Sequence, residues 1–476
     1  MLWLALHLPL LCLEIHDRGQ AGDHVPLGML DEQRLIAVNP AARDAGVRAG
    51  MRPAEAASLC AGLKLIPRDP RAELDALKRL GDWGLQYSAR VSLQPPDGLL
   101  LEIGGSLRLF GGLEGLLGCI GKSLSDLGYR IRRGIAPTPT AAWLLAQAGS
   151  QEPIRDPAQL RRHLAALPAV LLAAERQQRE ALYGLGLRTV GDCLALPRAD
   201  LGRRLGGELL HLLERALGER PDPRRGHRPA TEFHAELPLP AEARNVEAIL
   251  FSLRRLLREL CGLLRSRVCG VQELTLRLDH ERQPATDIPL TLQGPCRDPE
   301  QLLTVARERL ARQPLAAAVT AVSLHARYLL PLPANPMELL DTATQRDAQQ
   351  WRLLAERLDA RLGENRVLGL STRAEHRPER AWQAQRPGTA VAGQAHPHRP
   401  LWLLPQPRPL ELHRGHPCWN GPLALEASPE RIETGWWDGD DISRDYHLAR
   451  APDGALLWIY RDRRPPHGWF LHGLFG

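Results

Sequence analysis

The chain of 476 residues is poor in the features that classify a protein quickly. Its eight cysteines, at 12, 60, 119, 193, 261, 269, 296 and 418, contain no C-x-x-C pair, which argues against a zinc ribbon and against a disulfide framework. A reducing cytoplasm is the expected compartment. Lysine is almost missing: only Lys64, Lys78 and Lys122 occur, so arginine carries the positive charge. No apolar run approaches the length of a membrane span. The opening Met1 to Leu11 lacks the basic n-region and small-residue cleavage site of a signal peptide, and residues 2 to 8 read as a strand buried on both faces. What remains is a soluble globular composition, 44% apolar and 24% charged, long enough for three or four domains at roughly 100 to 200 residues each. A net charge of +6 is compatible with a nucleic-acid partner and does not demonstrate one.

The most informative stretch is Ser92-Leu93-Gln94-Pro95-Pro96-Asp97-Gly98-Leu99-Leu100-Leu101-Glu102-Ile103-Gly104-Gly105, an acidic turn running into an apolar strand and out through glycines. An acid just before a strand is well placed for a metal ligand, because the strand is rigid and its end opens onto a cleft. Position for position, the stretch resembles the active-site strand of the Y-family (translesion) DNA polymerases, Ser-Ile-Asp-Glu-Ala-(Tyr/Phe)-Leu-Asp. The resemblance puts that family's first acid on Asp97, its catalytic Glu on Gly98 and its closing Asp on Glu102. With the following Gly104 to Gly112, the wording is similar to the polymerase-like member of bacterial mutagenesis cassettes.

In that family the first strand carries Asp-x-Asp, and the matching positions here are His7 and Pro9. Phosphoryl transfer by two metals about 4 Å apart needs several carboxylates. Asp97 alone of the three expected ligands remains, and imidazole is a soft ligand for Mg²⁺. His7 then reads as an ordinary histidine near a strand end. No metal site and no cofactor are expected at the degenerate positions His7, Pro9, Asp97 and Gly98. On the nucleotide side, Asn39 to Met51, continuing into a helix over 53–60, resembles the fingers segment. Arg43 keeps the arginine that touches the incoming triphosphate, while its tyrosine companion is Pro40. Gly134-Ile135-Ala136-Pro137-Thr138-Pro139 resembles the segment whose lysine grips that triphosphate. Pro139 holds the lysine's place, and proline has neither charge nor N–H.

A helix is expected over 72–87, another over 113–127, a strand over 129–135, and several short helices over 167–217. Leu185 to Pro197 resembles the helix-hairpin-helix signature of the family's thumb, with Gly186, Thr189 and Gly191 as phosphate-facing candidates. Its earlier hairpin aligns with Ala173-Ala174-Glu175, where a carboxylate would repel phosphate. DNA affinity below a polymerase's is expected, carried by Arg203, Arg204, Arg224, Arg225 and Arg228; a solvated face beside a linker explains those arginines equally well. Pro221 to Pro229 reads as the linker. Helix 246–265, strands 271–280 and 286–292, helix 299–312 and strand 321–330 resemble the little-finger domain, with Arg277, His280 and Arg327 facing outward.

Pro336 to Asp341 stands where relatives carry a sliding-clamp motif; only Leu339 and Leu340 match it, and a linker covering a helix over 345–362 is the plainer reading. The tail from about Ser371 is rich in Pro and Trp. Trp382, Trp436, Trp437, Trp469, Phe470 and Phe475 are candidates for a partner surface, or for the core of a small β-rich domain, or both. His413, His416 and Cys418 have metal-like spacing but lack a second pair.

The expected fold is therefore an α/β (α+β) multidomain right hand: palm 1–30 and 71–160, fingers 31–70, thumb 161–228, little finger 229–335, linker and helix 336–370, and a C-terminal region 371–476. The resemblance implies a catalytically inactive, DNA-touching adaptor in damage-induced (SOS) mutagenesis. Its implied partners are the sliding clamp (the polymerase beta subunit), an error-prone DnaE-type polymerase and the RecA-like accessory protein ImuA. Two other readings are an active translesion polymerase with rearranged ligands, Glu102 moving inward, and a DNA-repair binding module.

Overall fold

The computed structural model describes residues 1–19, 25–150, 152–173, 175–313, 315–332, 343–363, 366–385, 399–426 and 428–475. They form two compact units, Met1–Arg361 and Leu362–Gly476.

The first unit is built on a four-stranded antiparallel sheet in the order Val91–Gln94, Gly98–Glu102, Trp3–His7, Arg132–Ala136. Side chains alternate across a strand, so a strand apolar at every position must be covered on both sides. Leu4, Leu6, Leu99 and Leu101 pack with helices Pro70–Gly84 and Leu113–Leu127. Trp3, Ala5 and Leu100 pack with helix Pro139–Ala148 and the short helices that follow. The expected helix over 72–87 begins instead at Pro70, because the Asp69 side chain accepts from the N–H groups of Arg71 and Ala72 and proline suits the first turn. The strand expected from Tyr129 starts at Arg132, because Gly128 (φ 83°) and the Tyr129 N–H bond to Leu124 O complete the end of the preceding helix.

A small sheet in the order Arg34–Val38, Leu27–Asp31, Lys64–Pro67 stands beside helices Pro40–Asp44 and Pro53–Leu59. Short helices then run from Leu160 to Leu217. After the linker comes a sheet in the order Thr286–Cys296, Cys269–His280, Val319–Ala326, Phe233–Ala243, with Leu330–Pro331 added to the second strand. Helices Val246–Ser266 and Pro299–Arg312 cover one face of it. Strand Phe233–Ala243, which contains Pro238 and Pro240, is not among the elements expected from sequence. It is tolerated at an edge, where a missing N–H breaks no ladder, while Phe233, Ala235, Leu237 and Leu239 alternate into the core.

Helix Val246–Ser266 also packs against helices Pro70–Gly84 and Leu113–Leu127, on the side of the central sheet away from His7. Glu259, fully buried there, is bonded by Arg18 and, at 3.1 Å, by Arg79.

The second unit is a sheet in the order His416–Cys418, Trp402–His413, Trp469–Leu474, Leu456–Asp462, Ile442–Arg450, Ala424–Leu425, with Glu430–Thr434 also paired to Ile442–Arg450 and a separate hairpin of Gly369–Thr372 with Trp382–Gln385. Its core includes Tyr446 stacked on Trp458 at 4.0 Å between ring centroids. Among the described residues, no helix is long and apolar enough to cross a membrane.

Candidate functional site at the end of the central sheet

The end of the central sheet brings together three of the positions read from sequence. His7 closes its strand opposite Gly98, and the turn before Gly98 is held in place by the bond from Leu8 N–H to Asp97 O at 2.8 Å. The Nε2 of His7 lies 3.2 Å from Asp97 Oδ2. Trp143, projecting from helix Pro139–Ala148, meets the His7 ring edge-on at 5.3 Å. The same indole covers Gly98: a Cβ there would fall 2.3 Å from a Trp143 ring carbon, far inside van der Waals contact. His7 Nδ1 is buried and has no partner among the described residues.

A pair of Mg²⁺ ions does not fit this donor set. It offers one carboxylate and one imidazole nitrogen, and the place from which a second carboxylate would project is taken by an indole. Glu102 does not supply the deficit. It sits at the far end of its strand, roughly 13 Å along at 3.3 Å per residue, and its Oε1 accepts from the N–H groups of Leu2 and Gly104. Pro9 follows the strand without entering it. Among the described residues, no group of three or more His, Cys, Asp or Glu side chains could hold a metal, His413, His416 and Cys418 included.

The nucleotide-side positions are also accounted for. Pro139 occupies the first turn of its helix behind the Thr138 cap, whose hydroxyl accepts from Ala141 N–H and donates to Ala216 O. The Asp222 carboxylate accepts from the N–H and hydroxyl of Thr140 in that first turn. The sequence reading missed this contact, because the linker composition marks a loop and not what the loop touches. Arg43 is exposed on helix Pro40–Asp44, with Pro40 at its first position.

The DNA-facing candidates divide. Gly186 is exposed at φ 70°, but Thr189 caps helix Val190–Ala195 and Gly191 packs on Ala165. Asp192 Oδ2 accepts from the N–H groups of Arg188 (2.9 Å) and Thr189 (2.8 Å), amides that a phosphate would otherwise seek, and these bonds hold its carboxyl below the usual range. Arg203, Arg204, Arg225 and Arg228 are exposed. Arg224 is not a free surface cation, since it bonds Gln94, Thr140 and Asp222. Arg277 is committed to Asp287 at 2.9 and 3.2 Å, and His280 to Ala318 O and Thr286. Arg327 is exposed, but the outer face of that sheet also bears Glu236 and Glu273. Opposed charges on one face weaken its pull on phosphate. Leu339 and Leu340 lie outside the described residues.

In the second unit Trp436 (82% exposed), Trp437 (58%) and Trp382 (54%) face solvent. Trp469, Phe470 and Phe475 are packing residues instead: Trp469 lies on His447, Phe470 stacks on Tyr460, and Phe475 borders the same aromatic cluster. The Trp436–Trp437 pair is edge-on at 5.5 Å and braced from beneath. Arg377, itself buried, bonds Asp438 at 2.9 and 2.7 Å, Asp440 O at 3.0 Å and Glu375 at 2.7 Å.

Comparison with known proteins follows the same lines. Residues 9–147 match the impB/mucB/samB family. Protein ImuB from two strains of Caulobacter vibrioides is 29% identical over 477 residues, covering 90% of this chain and 100% of the relative. The chain is thus similar to Protein ImuB over nearly all of its length. Its mixed helix-and-strand, multidomain class is the one expected from sequence. Among solved structures, an insertion ternary complex of Dbh DNA polymerase is 18% identical, with 69% of this chain and 99% of that chain covered and a TM-score of 0.38. DinB from Sulfolobus solfataricus is 16% identical, with 70% and 100% covered and a TM-score of 0.36.

Proposed function

We propose that this ImuB-like chain is a non-catalytic, polymerase-shaped adaptor in DNA-damage-induced translesion synthesis. The central sheet acts as the palm, the small sheet and its helices as fingers, the helices up to Leu217 as thumb, and the sheet after the linker as little finger. One observation carries the reading: beside the lone Asp97, the position of the catalytic carboxylate is a glycine whose missing side chain is replaced by the Trp143 ring. Two-metal phosphoryl transfer has no ligand cage in such a site. The exposed arginines support modest contact with primer-template DNA. The exposed Trp436–Trp437 pair supports a protein contact, because tryptophan anchors dominate interface energetics and the Arg377–Asp438 bond ties down the turn beside the pair. The sliding clamp, an error-prone DnaE-type polymerase and ImuA are the partners this role calls for, in the cytoplasm.

Primer extension tests the reading. Purified protein with Mg²⁺ or Mn²⁺ is expected to incorporate no nucleotide, and Asp97→Ala is expected to leave the baseline unchanged. Incorporation that disappears in Asp97→Ala would make the protein an active polymerase and end the adaptor reading.

A further inference from the structure

Residues 221–230 contain no helix or strand, yet they are clasped along their length. Asp222, with a side chain 7% exposed, accepts through Oδ2 from Thr140 N–H at 3.0 Å and from the Thr140 hydroxyl at 2.7 Å. Arg224 Nη2 donates to the same oxygen at 3.0 Å and to the Thr140 hydroxyl at 2.8 Å, while its Nη1 reaches Gln94 Oε1 at 2.9 Å. Further along, His227 N–H donates to Val91 O at 2.7 Å. Asp82 Oδ1 lies 2.7 Å from His227 Nε2 and accepts from Ala230 N–H at 3.2 Å. Arg267 closes the series on Ala230 O.

These clasps join the two walls of the site. Gln94 pairs with Gly98 across the hairpin, and Thr140 stands one turn before Trp143, which covers Gly98 from the other side. A helix amino end leaves its first N–H groups unpaired and favours negative charge. Here that charge is internal. A carboxylate held by a backbone amide, a hydroxyl and a guanidinium is well satisfied, and those are the donors a phosphate would need.

We propose that residues 221–230 are an intramolecular latch, with Asp222 as its key contact, which closes the amino end of helix Pro139–Ala148 to phosphate-bearing ligands by keeping Thr140 and Arg224 occupied. This goes beyond the adaptor reading, which requires only the loss of metal ligands and stands or falls separately. The advantage of the latch is one of concentration. A tethered carboxylate acts at an effective concentration of the order of millimolar, so an external oxyanion present below that level loses the competition.

Inorganic tripolyphosphate titrated into the full chain, followed by calorimetry, is the probe. The natural chain is expected to show no saturable binding at low millimolar concentration. Asp222→Ala is expected to bind at least about tenfold tighter, equivalent to about 1.4 kcal/mol, and Asp222→Ala/Arg224→Ala to lose that gain. Equal binding by the natural chain and Asp222→Ala, or none by a folded Asp222→Ala, overturns the latch. Hydrogen exchange of the natural chain gives a reading even if the variant does not fold. The Thr140 amide has no partner within its own helix, so protection comparable to the helix interior is expected, and exchange at exposed-loop rates overturns the proposal.

Discussion

Gly98 and Trp143 decide the chemistry between them. Replacing Gly98 with glutamate, the change that would restore the family's acid pair on paper, drives a side chain into an indole 2.3 Å from where its Cβ must lie. Overpacking of this kind costs about 1–3 kcal/mol. Gly98→Glu is therefore expected to lower the urea midpoint and to yield no nucleotide incorporation. In a Trp143→Ala background the same substitution is expected to cost less, a coupling that a double-mutant cycle measures. His7, Asp97 and Gly98 were legible in the sequence because strand motifs fix position. Trp143 was not, since nothing in the spacing of residues 139–148 distinguishes an indole filling a core from one reaching across to the next strand. The same limit hid Asp192 and Asp222, whose roles arise from which amide each carboxylate faces.

At the scale of elements, helix Val246–Ser266 carries the largest burden. It covers its own sheet and also the helices behind the central sheet, with Gly262 close against Trp83 and Glu259 buried between Arg18 and Arg79. Removing one partner of a buried charge network leaves uncompensated charge and costs about 3–5 kcal/mol. Glu259→Ala, which strands the fully buried Arg18, is expected to destabilise the first unit by that amount in chemical denaturation. Arg79→Ala is expected to cost less, because Arg79 is partly exposed and Arg18 remains to neutralise Glu259. Long elements with strong periodicity were legible: helices Leu113–Leu127 and Pro299–Arg312 fall where the sequence predicts them. The strands at 27–31, 34–38 and 64–67 were missed because four or five residues carry too few alternations. The strand Phe233–Ala243 was missed because its prolines argue against a strand until its edge position is known.

At the scale of the whole molecule, one buried group in each unit carries a pH-dependent contribution of opposite sign. Burial pushes the Glu14 carboxyl up from its ordinary 4.5 to about 7. Folded Glu14 therefore keeps a proton that the unfolded chain releases, and its contribution to the stability of the first unit falls as pH rises from 4.5 toward 7. Burial pulls His472 down from 6.5 to about 4, so the unfolded chain takes up that proton first and the contribution of His472 to the second unit is lost as pH falls from 6.5 toward 4. Each shift corresponds to about 3 kcal/mol at full extent. Calorimetry across pH 4.5–6.5 on the natural chain and single variants is expected to show these two contributions as differences of opposite slope. Glu14→Gln should flatten the first trend and His472→Gln the second. A variant whose transition follows pH as the natural chain's does would refute the assignment for that residue.

The crowding of Gly98 by Trp143 also bears on descent. A lineage holding this arrangement does not gain an acid at position 98 through one codon without cost: the ring has to go first, and removing the ring alone leaves a void. Either single change is expected to cost stability, so the pair has to change together.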